Sequence, residues 1–158
     1  MSMKTHTYRA DVVWSGNLGV GTRGYRDYGR DHDIRAPGKP TIPGSSDPGF
    51  RGDAAQWNPE ELLVASVSTC HQLWYLHLCS DAGITVMAYA DKASGEMIET
   101  ADGGGRFTGV TLRPHARLAA GGDVAKATAL HERAHHYCFI ANSVNFPIGI
   151  EPSFEIES

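Results

Sequence analysis

Two of the three cysteines in the chain, Cys70 and Cys138, lie inside apolar stretches of helical character, away from loop tips. A chain of 158 residues can bury a core without disulfide braces, and an odd number of cysteines leaves at least one thiol unpaired. This placement favours thiol chemistry. The alternative is that both residues are core filler, because cysteine is among the most frequently buried residue types. Cys79 falls on another side of the helix that carries Cys70 and is interpreted as core filler.

The helix that carries Cys70 has clear start signals. Asn58 is a favourable N-cap residue, Pro59 fits the first helical position, and Glu61 can complete a capping box. We predict a helix from Asn58 to about Ala82. Apolar residues cover most of its circumference, so we expect it to be central and buried on nearly all sides.

The other thiol is expected on a second helix. Asp123 can cap this helix, and its apolar pattern continues to Cys138. Both helices must pack on the same sheet, so the thiols of Cys70 and Cys138 can face each other. A disulfide between them would need Cα atoms within about 4.4–6.8 Å.

Strand patterns occupy much of the remaining chain. They cover residues 8–14, 32–35, 84–97, 106–118 and 148–156, and the third and fourth predict one hairpin around a glycine-rich turn. This order predicts a single α+β domain over residues 1–158, with two central helices packed against an antiparallel sheet. The segment of about 15–57 is rich in Gly, Pro, Asp and Arg, and we expect it to be irregular and to wrap over a partner.

Composition narrows the possible classes of function. A net charge of −4 without a cluster of Lys and Arg argues against nucleic acid as the main partner. The polar N-terminus and the lack of a membrane-length apolar run argue against a membrane partner. We therefore expect a cytoplasmic protein in a reducing environment, where a disulfide is more often a catalytic intermediate than a permanent brace.

The histidines suggest a competing metal site. The run from His131 to His135 spells H-E-x-x-H on a predicted helix, which places two imidazoles on one face. A zinc protease of this type needs a third ligand, and no His-x-x-Gly-x-x-His follows. The alternative that stays open is a non-catalytic or zinc-binding protein in which His131, His135 and Cys138 form a structural site. His71 and His77 are assigned no metal role, although either could tune Cys70.

One motif is more specific than the rest. The run Asn58-Pro59-Glu60-Glu61-Leu62-Leu63-Val64-Ala65 leads to Cys70, and His131 to Ala134 leads to Cys138. On these residues the chain resembles a divergent OsmC-like branch of the OsmC/Ohr family, the osmotically inducible protein C and organic hydroperoxide resistance proteins. The resemblance implies an OsmC-like fold, an intertwined homodimer and a hydroperoxide reductase without metal or organic cofactor. It also implies that Cys70 is the peroxidatic nucleophile, that Cys138 resolves it, and that Glu60 and an arginine complete the site.

The same resemblance selects the arginine. In the OsmC branch this residue comes shortly before the Asn-Pro-Glu run, which here selects Arg51. In the Ohr branch it lies in a turn near the first strand, where Arg23, Arg26 and Arg30 compete. We predict Arg51, with Arg26 as the second choice.

The physical chemistry of a peroxidatic thiol supports these roles. Only the thiolate attacks the O–O bond of a hydroperoxide, and a reference pKa of about 8.5 leaves a cysteine mostly protonated at neutral pH. A fixed guanidinium beside Cys70 would stabilise the thiolate by about 1.4 kcal/mol for each pKa unit, and Glu60 can hold that guanidinium in a bidentate pair. The resulting sulfenic acid would condense with Cys138 to a disulfide, which an external dithiol must reduce.

Spacing along the first helix bears on assembly. Glu60 and Cys70 are ten residues apart, so their Cα atoms are about 15 Å apart along the helix axis. Two residues this far apart cannot serve one site in one chain. If both act on the same peroxide, Glu60 must come from a second subunit of a two-fold homodimer.

Aromatic residues near the candidate site bear on the substrate. Trp57, Phe50, Trp74, Tyr75 and Phe139 lie close in sequence to the candidate site residues. Phe50, Trp57, Trp74 and Phe139 are the expected substrate-binding residues. An apolar wall of this kind would favour an organic hydroperoxide over hydrogen peroxide, because burying an alkyl chain contributes about 0.8 kcal/mol per methylene. The alternative is that these rings are ordinary core residues.

Overall fold

The structure is a computed structural model that describes residues 2–158. The chain forms two compact units, Met1–Leu62 and Leu63–Ser158. The single domain over residues 1–158 and the wrapping role of segment 15–57 stay predictions.

The first unit is built around a small antiparallel sheet. Its strands are β1 (Asp11–Trp14), β2 (His32–Arg35) and β3 (Ile42–Gly44), in the order β1-β2-β3. The strand expected at 32–35 is confirmed, whereas the strand expected at 8–14 begins only at Asp11. The sequence did not predict β3. It contains Pro43, and proline is tolerated here because β3 is an edge strand.

The loop between β1 and β2 is fixed by close backbone contacts around Gly16. The Gly29 N–H donates to the Gly16 carbonyl at 2.8 Å, and Trp14 Nε1 donates to the Gly29 carbonyl at 2.9 Å. A Cβ at position 16 would lie 2.0 Å from the Gly29 oxygen, so only glycine fits there. This part of the irregular segment therefore has a specific conformation.

Helix α1 (Pro59–Asp81) begins at the predicted capping box. The Glu61 N–H donates to Asn58 Oδ1 at 2.9 Å, and the Asn58 N–H donates to a Glu61 carboxylate oxygen at 3.2 Å. Just past its C-terminal end, Gly83 adopts a φ of 73°, a left-handed conformation that suits glycine. The start and end signals in the sequence therefore placed this helix correctly.

Helix α2 (Val124–Tyr137) begins after Asp123, whose side chain accepts a hydrogen bond from the Lys126 N–H at 3.0 Å. The helix ends one residue before Cys138, which is its C-cap residue. Within residues 2–158, neither this helix nor α1 combines the length and the apolarity needed to cross a membrane.

The second unit contains six strands in two sheets. The strands are β4 (Val86–Asp91), β5 (Ser94–Glu99), β6 (Gly105–Leu112), β7 (Pro114–Leu118), β8 (Ile148–Ile150) and β9 (Ser153–Ile156). One sheet has the order β4-β7-β9 and the other β5-β6-β8. The pairs β4/β7 and β5/β6 are antiparallel, whereas β6/β8 and β7/β9 are parallel. The α+β class is confirmed, with mixed sheets in place of a wholly antiparallel one.

Each of the three long strands predicted for this unit is divided in two. The break between β6 and β7 falls at Arg113, whose N–H donates to Asp91 Oδ1 at 2.6 Å instead of to a neighbouring strand. Pro114 is the first residue of β7, and Pro152 lies in the break between β8 and β9; proline has no N–H to donate to a strand ladder. Of the expected hairpin, only the part nearest the turn forms, as the pair β5/β6. The strands β4 and β7 pair with each other in the other sheet.

The core of the second unit has two apolar clusters, and α1 contributes to both. In the first cluster Tyr75, Leu78 and Cys79 of α1 pack with Ala127, Leu130 and Ala134 of α2 and with Ala116 and Leu118 of β7. In the second, Val67 of α1 packs with Val110 and Leu112 of β6. The central position of α1 is confirmed, but Leu73 is 66% exposed, so the helix is not buried on nearly all sides within the single chain.

We expect the capping box to contribute measurably to stability. Replacing Asn58 by alanine removes the acceptor for the Glu61 N–H, and the free energy of unfolding should fall by about 1 kcal/mol. Glu61→Gln is the matched control, because glutamine keeps an acceptor for the Asn58 N–H. Urea denaturation monitored by circular dichroism measures both variants. Equal midpoints for Asn58→Ala and the wild type would contradict the assignment.

Candidate active site

Cys70 and Cys138 occupy different local environments. Cys70 lies in the middle of α1 and is half-buried, whereas Cys138 is only 1% exposed. The backbone leaves the helical conformation at Cys138, with φ −62° and ψ 112°, and the Ala141 N–H donates to its sulfur at 3.4 Å. The sequence placed Cys138 on the second helix. In the structure it is held at the point where that helix ends.

The two thiols lie next to each other. Both cysteines are free, and the thiol of Cys138 is near enough to that of Cys70 for its pKa to be raised by it. Burial and, to a smaller extent, the neighbouring Cys70 thiol raise the pKa of the Cys138 thiol to about 11, against a lowering by the Ala141 and Ile140 N–H groups. Cys138 is therefore a protonated thiol at neutral pH. Of the two, Cys70 is the one that a solute can reach.

Three aromatic side chains lie near the two cysteines in the chain. Trp74, one turn after Cys70 on α1, stacks on Tyr137 with ring centroids 5.2 Å apart and contacts Phe139 edge-on at 5.5 Å. Tyr137 and Phe139 are the chain neighbours of Cys138. Phe139 is 68% exposed, so the cluster is open to solvent in the single chain. Two of the four predicted substrate-binding residues, Trp74 and Phe139, are thus brought together.

The sequence analysis did not select Tyr137. Its position directly before Cys138 was the available signal, because Phe139 was selected on the same ground of proximity. Phe50 and Trp57, the other two predicted residues, belong to the first unit and are 40% and 49% exposed. Their part in substrate binding stays a prediction.

The candidate arginines differ in how they are held. Arg30 is held by two tyrosines: its guanidinium lies 3.8 Å from the Tyr28 ring centroid and 4.6 Å from that of Tyr25, and it donates to both backbone carbonyls. Arg23 pairs with Asp27 at 3.5 Å on the surface. Both have local structural partners, which makes them poorer candidates for a catalytic cation.

Arg51 has an unusual backbone conformation. It caps the 3₁₀ turn Pro48–Phe50 with φ 65° and ψ 24°, and within residues 2–158 no other non-glycine residue has a positive φ. Such a conformation costs a non-glycine residue about 1 kcal/mol or more, and it often marks a functional position. Glu60 is the second residue of α1 and is half-buried at the positive end of the helix dipole. The roles of Arg51 and Glu60 stay predictions.

His71, to which no metal role was assigned from the sequence, and His131, which was considered as a zinc ligand, form a buried pair between the helices. His71 of α1 and His131 of α2 are 1% and 3% exposed, and His71 Nε2 lies 2.9 Å from His131 Nδ1. The Tyr75 ring stacks on His131 with centroids 3.8 Å apart, and its hydroxyl donates to the Ala127 carbonyl at 3.0 Å. The signal in the sequence was that each histidine falls on the apolar side of its helix.

This pair changes the interpretation of the H-E-x-x-H run. His131 is turned into the core toward His71, and no group of three or more His, Cys, Asp or Glu residues within 2–158 is arranged to hold a metal ion. The proposed zinc ligands His131, His135 and Cys138 therefore do not form a site in this structure. His77 was considered as a residue that could tune the reactivity of Cys70. Its side chain is exposed, and its Nε2 lies 3.4 Å from Asp81 Oδ2.

The imidazole pair is uncharged at neutral pH. Burial lowers the pKa of His71 to about 4, opposed by the Asp91 carboxylate and assisted by His135. Burial and the neighbouring His71 lower the pKa of His131 to about 3. One nitrogen of the pair must donate to the other, while His71 Nδ1 and His131 Nε2 have no hydrogen-bond partner among the described residues. An unpaired buried N–H lowers the free energy of unfolding by about 1–3 kcal/mol, so this arrangement destabilises the core.

The site can now be compared with known proteins. A family model described as OsmC-like protein matches residues 52–153. No curated protein matches the chain. Among solved structures, an OsmC-like protein of unknown function from Vibrio cholerae is 28% identical, with a TM-score of 0.82 over 94% of this chain and 99% of that one.

Two further solved structures share the fold at lower identity. An organic hydroperoxide resistance protein OsmC from Legionella pneumophila is 18% identical, with a TM-score of 0.67 over 96% of this chain and 99% of that one. The organic hydroperoxide resistance protein OhrB of Bacillus subtilis is 21% identical, with a TM-score of 0.62 over 94% of this chain and 98% of that one.

We expect the histidine pair to make the fold sensitive to acid. Unfolded histidines bind protons below a pKa of about 6.5, whereas the folded pair binds them only near pH 4 and below. The folded state therefore loses stability as the pH falls from 6.5 toward 4, by roughly 1 kcal/mol per pH unit for each proton. Urea denaturation at pH 7, 6, 5 and 4.5 measures this loss.

The matched control is the double variant His71→Gln/His131→Asn. Its amides occupy the positions of the two bonded ring nitrogens but do not titrate, so its stability should fall less steeply over the same pH range. The same slope in both proteins would contradict the assigned pKa values.

Proposed function

Because the chain belongs to the OsmC-like protein family, we propose that it is a thiol-dependent peroxidase that reduces hydroperoxides by a two-cysteine cycle. Members of this fold named organic hydroperoxide resistance proteins support a peroxide-related redox role in the family. The single observation that carries the proposal for this chain is the proximity of the thiols of Cys70 and Cys138.

The chemistry follows from the difference between the two thiols. The thiolate of the more accessible Cys70 attacks the distal oxygen of a hydroperoxide, the O–O bond breaks, and an alcohol leaves after taking up a proton. Cys70 is then a sulfenic acid, oxidised by two electrons. The sulfur of Cys138 attacks that of Cys70, the S–O bond breaks, and water leaves as the disulfide forms. An external dithiol returns both sulfurs to thiols.

A cation is needed at the first step, and Arg51 is the proposed source. Its guanidinium stabilises the Cys70 thiolate and the negative charge that develops on the leaving oxygen. Glu60 holds the guanidinium in place through a bidentate pair. The left-handed backbone of Arg51 supports this choice, as does the engagement of Arg30 and Arg23 with other partners.

The position of Glu60 favours a homodimer with composite sites. α1 is one continuous helix through both residues, so ten residues separate Glu60 and Cys70 by about 15 Å along its axis. Glu60 therefore serves the Cys70 of a partner subunit, and a two-fold axis produces two equivalent sites. Exposed apolar side chains such as Leu73 on α1 are compatible with a second subunit.

The aromatic cluster favours an organic substrate. Trp74, Tyr137 and Phe139 form an apolar wall beside the cysteines, and Phe50 and Trp57 are proposed to extend it. An alkyl or aryl hydroperoxide buries more apolar surface against these rings than hydrogen peroxide does. Turnover requires a dithiol reductant, which fits a reducing compartment such as the cytoplasm.

We expect mass spectrometry to show the cycle directly. After one equivalent of cumene hydroperoxide, the wild type should lose two hydrogens and yield a Cys70–Cys138 disulfide-linked peptide. Cys138→Ser should instead gain one or two oxygens on Cys70, because no thiol is present to resolve the sulfenic acid. Cys79→Ser is the control and should behave as the wild type does. Oxidation at Cys79, or thiols that survive the peroxide, would contradict the proposal.

The same measurement with hydrogen peroxide at equal concentration reports substrate preference. Cumene hydroperoxide should consume the Cys70 thiol faster. Equal rates for the two oxidants would remove the argument from the aromatic wall.

Mixing two inactive variants tests the composite site. Glu60→Ala and Cys70→Ser should each lose most peroxidase activity. When the two chains are co-expressed with different tags, each heterodimer contains one intact Glu60 and Cys70 set, so the mixture should recover about a quarter of the wild-type rate. No recovery in heterodimers isolated by both tags would contradict the shared site. A monomeric mass by light scattering together with full activity would contradict it too.

A further inference from the structure

The buried histidine pair takes no part in the chemistry proposed above, yet it lies between the two helices that present the cysteines. His71 directly follows Cys70 on α1, and His131 lies two turns before Cys138 on α2. Within residues 2–158 their hydrogen bond is the only one that joins a side chain of α1 to a side chain of α2. The pair therefore connects the two thiol-bearing segments close to the thiol of Cys70.

The orientation of the pair is closely defined. The planes of the Tyr75 and His131 rings differ by 5°, and their centroids are 3.8 Å apart. The planes of the His71 and His131 rings differ by 6°. The Tyr75 ring is itself held by its burial in the apolar cluster shared by the two helices. The stack fixes the plane of the His131 ring, and the hydrogen bond with His71 Nε2 fixes which edge of the ring faces His71. A slide or rotation of α2 along α1 would break the bond.

We propose that His71 and His131 are positioning residues that keep the Cys138 sulfur within reach of Cys70 after Cys70 is oxidised. The inference rests on the proposed two-cysteine cycle. It concerns the second step, in which the S–S bond forms, the S–O bond breaks and water leaves.

The second step is where positioning matters most. The sulfenic acid on Cys70 has two competing fates: condensation with Cys138, or attack on a second hydroperoxide that gives a sulfinic acid. The first fate depends on the distance and angle between two sulfurs, and a displacement of about 1 Å can slow such a step by about a hundredfold. The second fate depends only on the concentration of hydroperoxide. The ratio of disulfide to sulfinic acid therefore reports the placement of Cys138.

A directed hydrogen bond suits this task better than apolar packing. Two leucines at these positions would fill space without fixing the register of one helix on the other. The imidazole pair leaves His71 Nδ1 and His131 Nε2 without protein partners, a cost that apolar packing would avoid. A polar contact that carries this cost, formed by the residue next to Cys70 in the chain, supports a role in function.

The test compares two amide side chains of different length at position 71. His71→Gln places an amide where Nε2 was, whereas the amide of His71→Asn ends one bond short of it. Each protein receives several concentrations of cumene hydroperoxide, and mass spectrometry gives the ratio of Cys70–Cys138 disulfide to Cys70 sulfinic acid. Tyr75→Phe is the control, because it removes the other hydrogen bond between the helices and keeps the stacked ring.

We expect His71→Gln and Tyr75→Phe to keep the wild-type ratio, and His71→Asn to lower it by about tenfold, with the initial loss of the Cys70 thiol unchanged. The inference would be overturned if His71→Asn kept the wild-type ratio of disulfide to sulfinic acid. It would also be overturned if this ratio fell equally in all three variants, because that would indicate only general destabilisation. If His71→Asn does not fold, His71→Leu/His131→Leu replaces it, because that variant leaves no polar group unpaired, and it should lower the ratio equally.

A redox titration separates failure of this inference from failure of the proposed function. If the wild type forms no disulfide with any hydroperoxide, the peroxidase proposal fails. Equilibration of the same variants with reduced and oxidised glutathione still measures how readily Cys70 and Cys138 pair. His71→Asn should then form the disulfide about tenfold less readily than His71→Gln. Equal equilibria would overturn the positioning role.

Discussion

The site depends on one packing relationship, that of α2 against α1 in the core of the second unit. Cys70 lies in the middle of one helix, and Cys138 lies where the other helix ends. Neither thiol could move toward the other by a change of rotamer alone if the helices were misplaced. Their proximity therefore depends on the cluster that the two helices share, which includes Tyr75, Leu130 and Ala134.

The same packing gives the two thiols opposite properties. The end of α2 carries Cys138 into the interior, where burial raises its pKa to about 11 and keeps it protonated at neutral pH. The middle of α1 leaves Cys70 half-buried and in reach of a solute. This difference suits the proposed roles, in which Cys70 attacks the hydroperoxide and Cys138 resolves the product, and it follows from backbone placement alone.

Local signals predicted the helices well and the sheets only in part. The capping box of Asn58 and Glu61 and the cap at Asp123 fixed both helix starts, because capping depends on residues within one turn. The parallel pairing of β6 with β8 and of β7 with β9 joins segments far apart in sequence, and no local pattern encodes it. Pro114 and Pro152 were visible signs of the strand breaks, but the apolar alternation around them concealed the change of sheet.

The same limit explains which candidate site residues could be predicted from the sequence. The two cysteines were found from their helical context and from family resemblance, and the structure brings them together. The histidine pair joins residues 60 positions apart, so His71 and His131 looked like unrelated polar residues, and His131 looked like half of a metal motif. A histidine on the apolar side of a helix needs a partner when it is buried. In this chain that partner is a second buried histidine on the other helix, and the hydrogen bond lies beside the thiol on which the proposed chemistry depends.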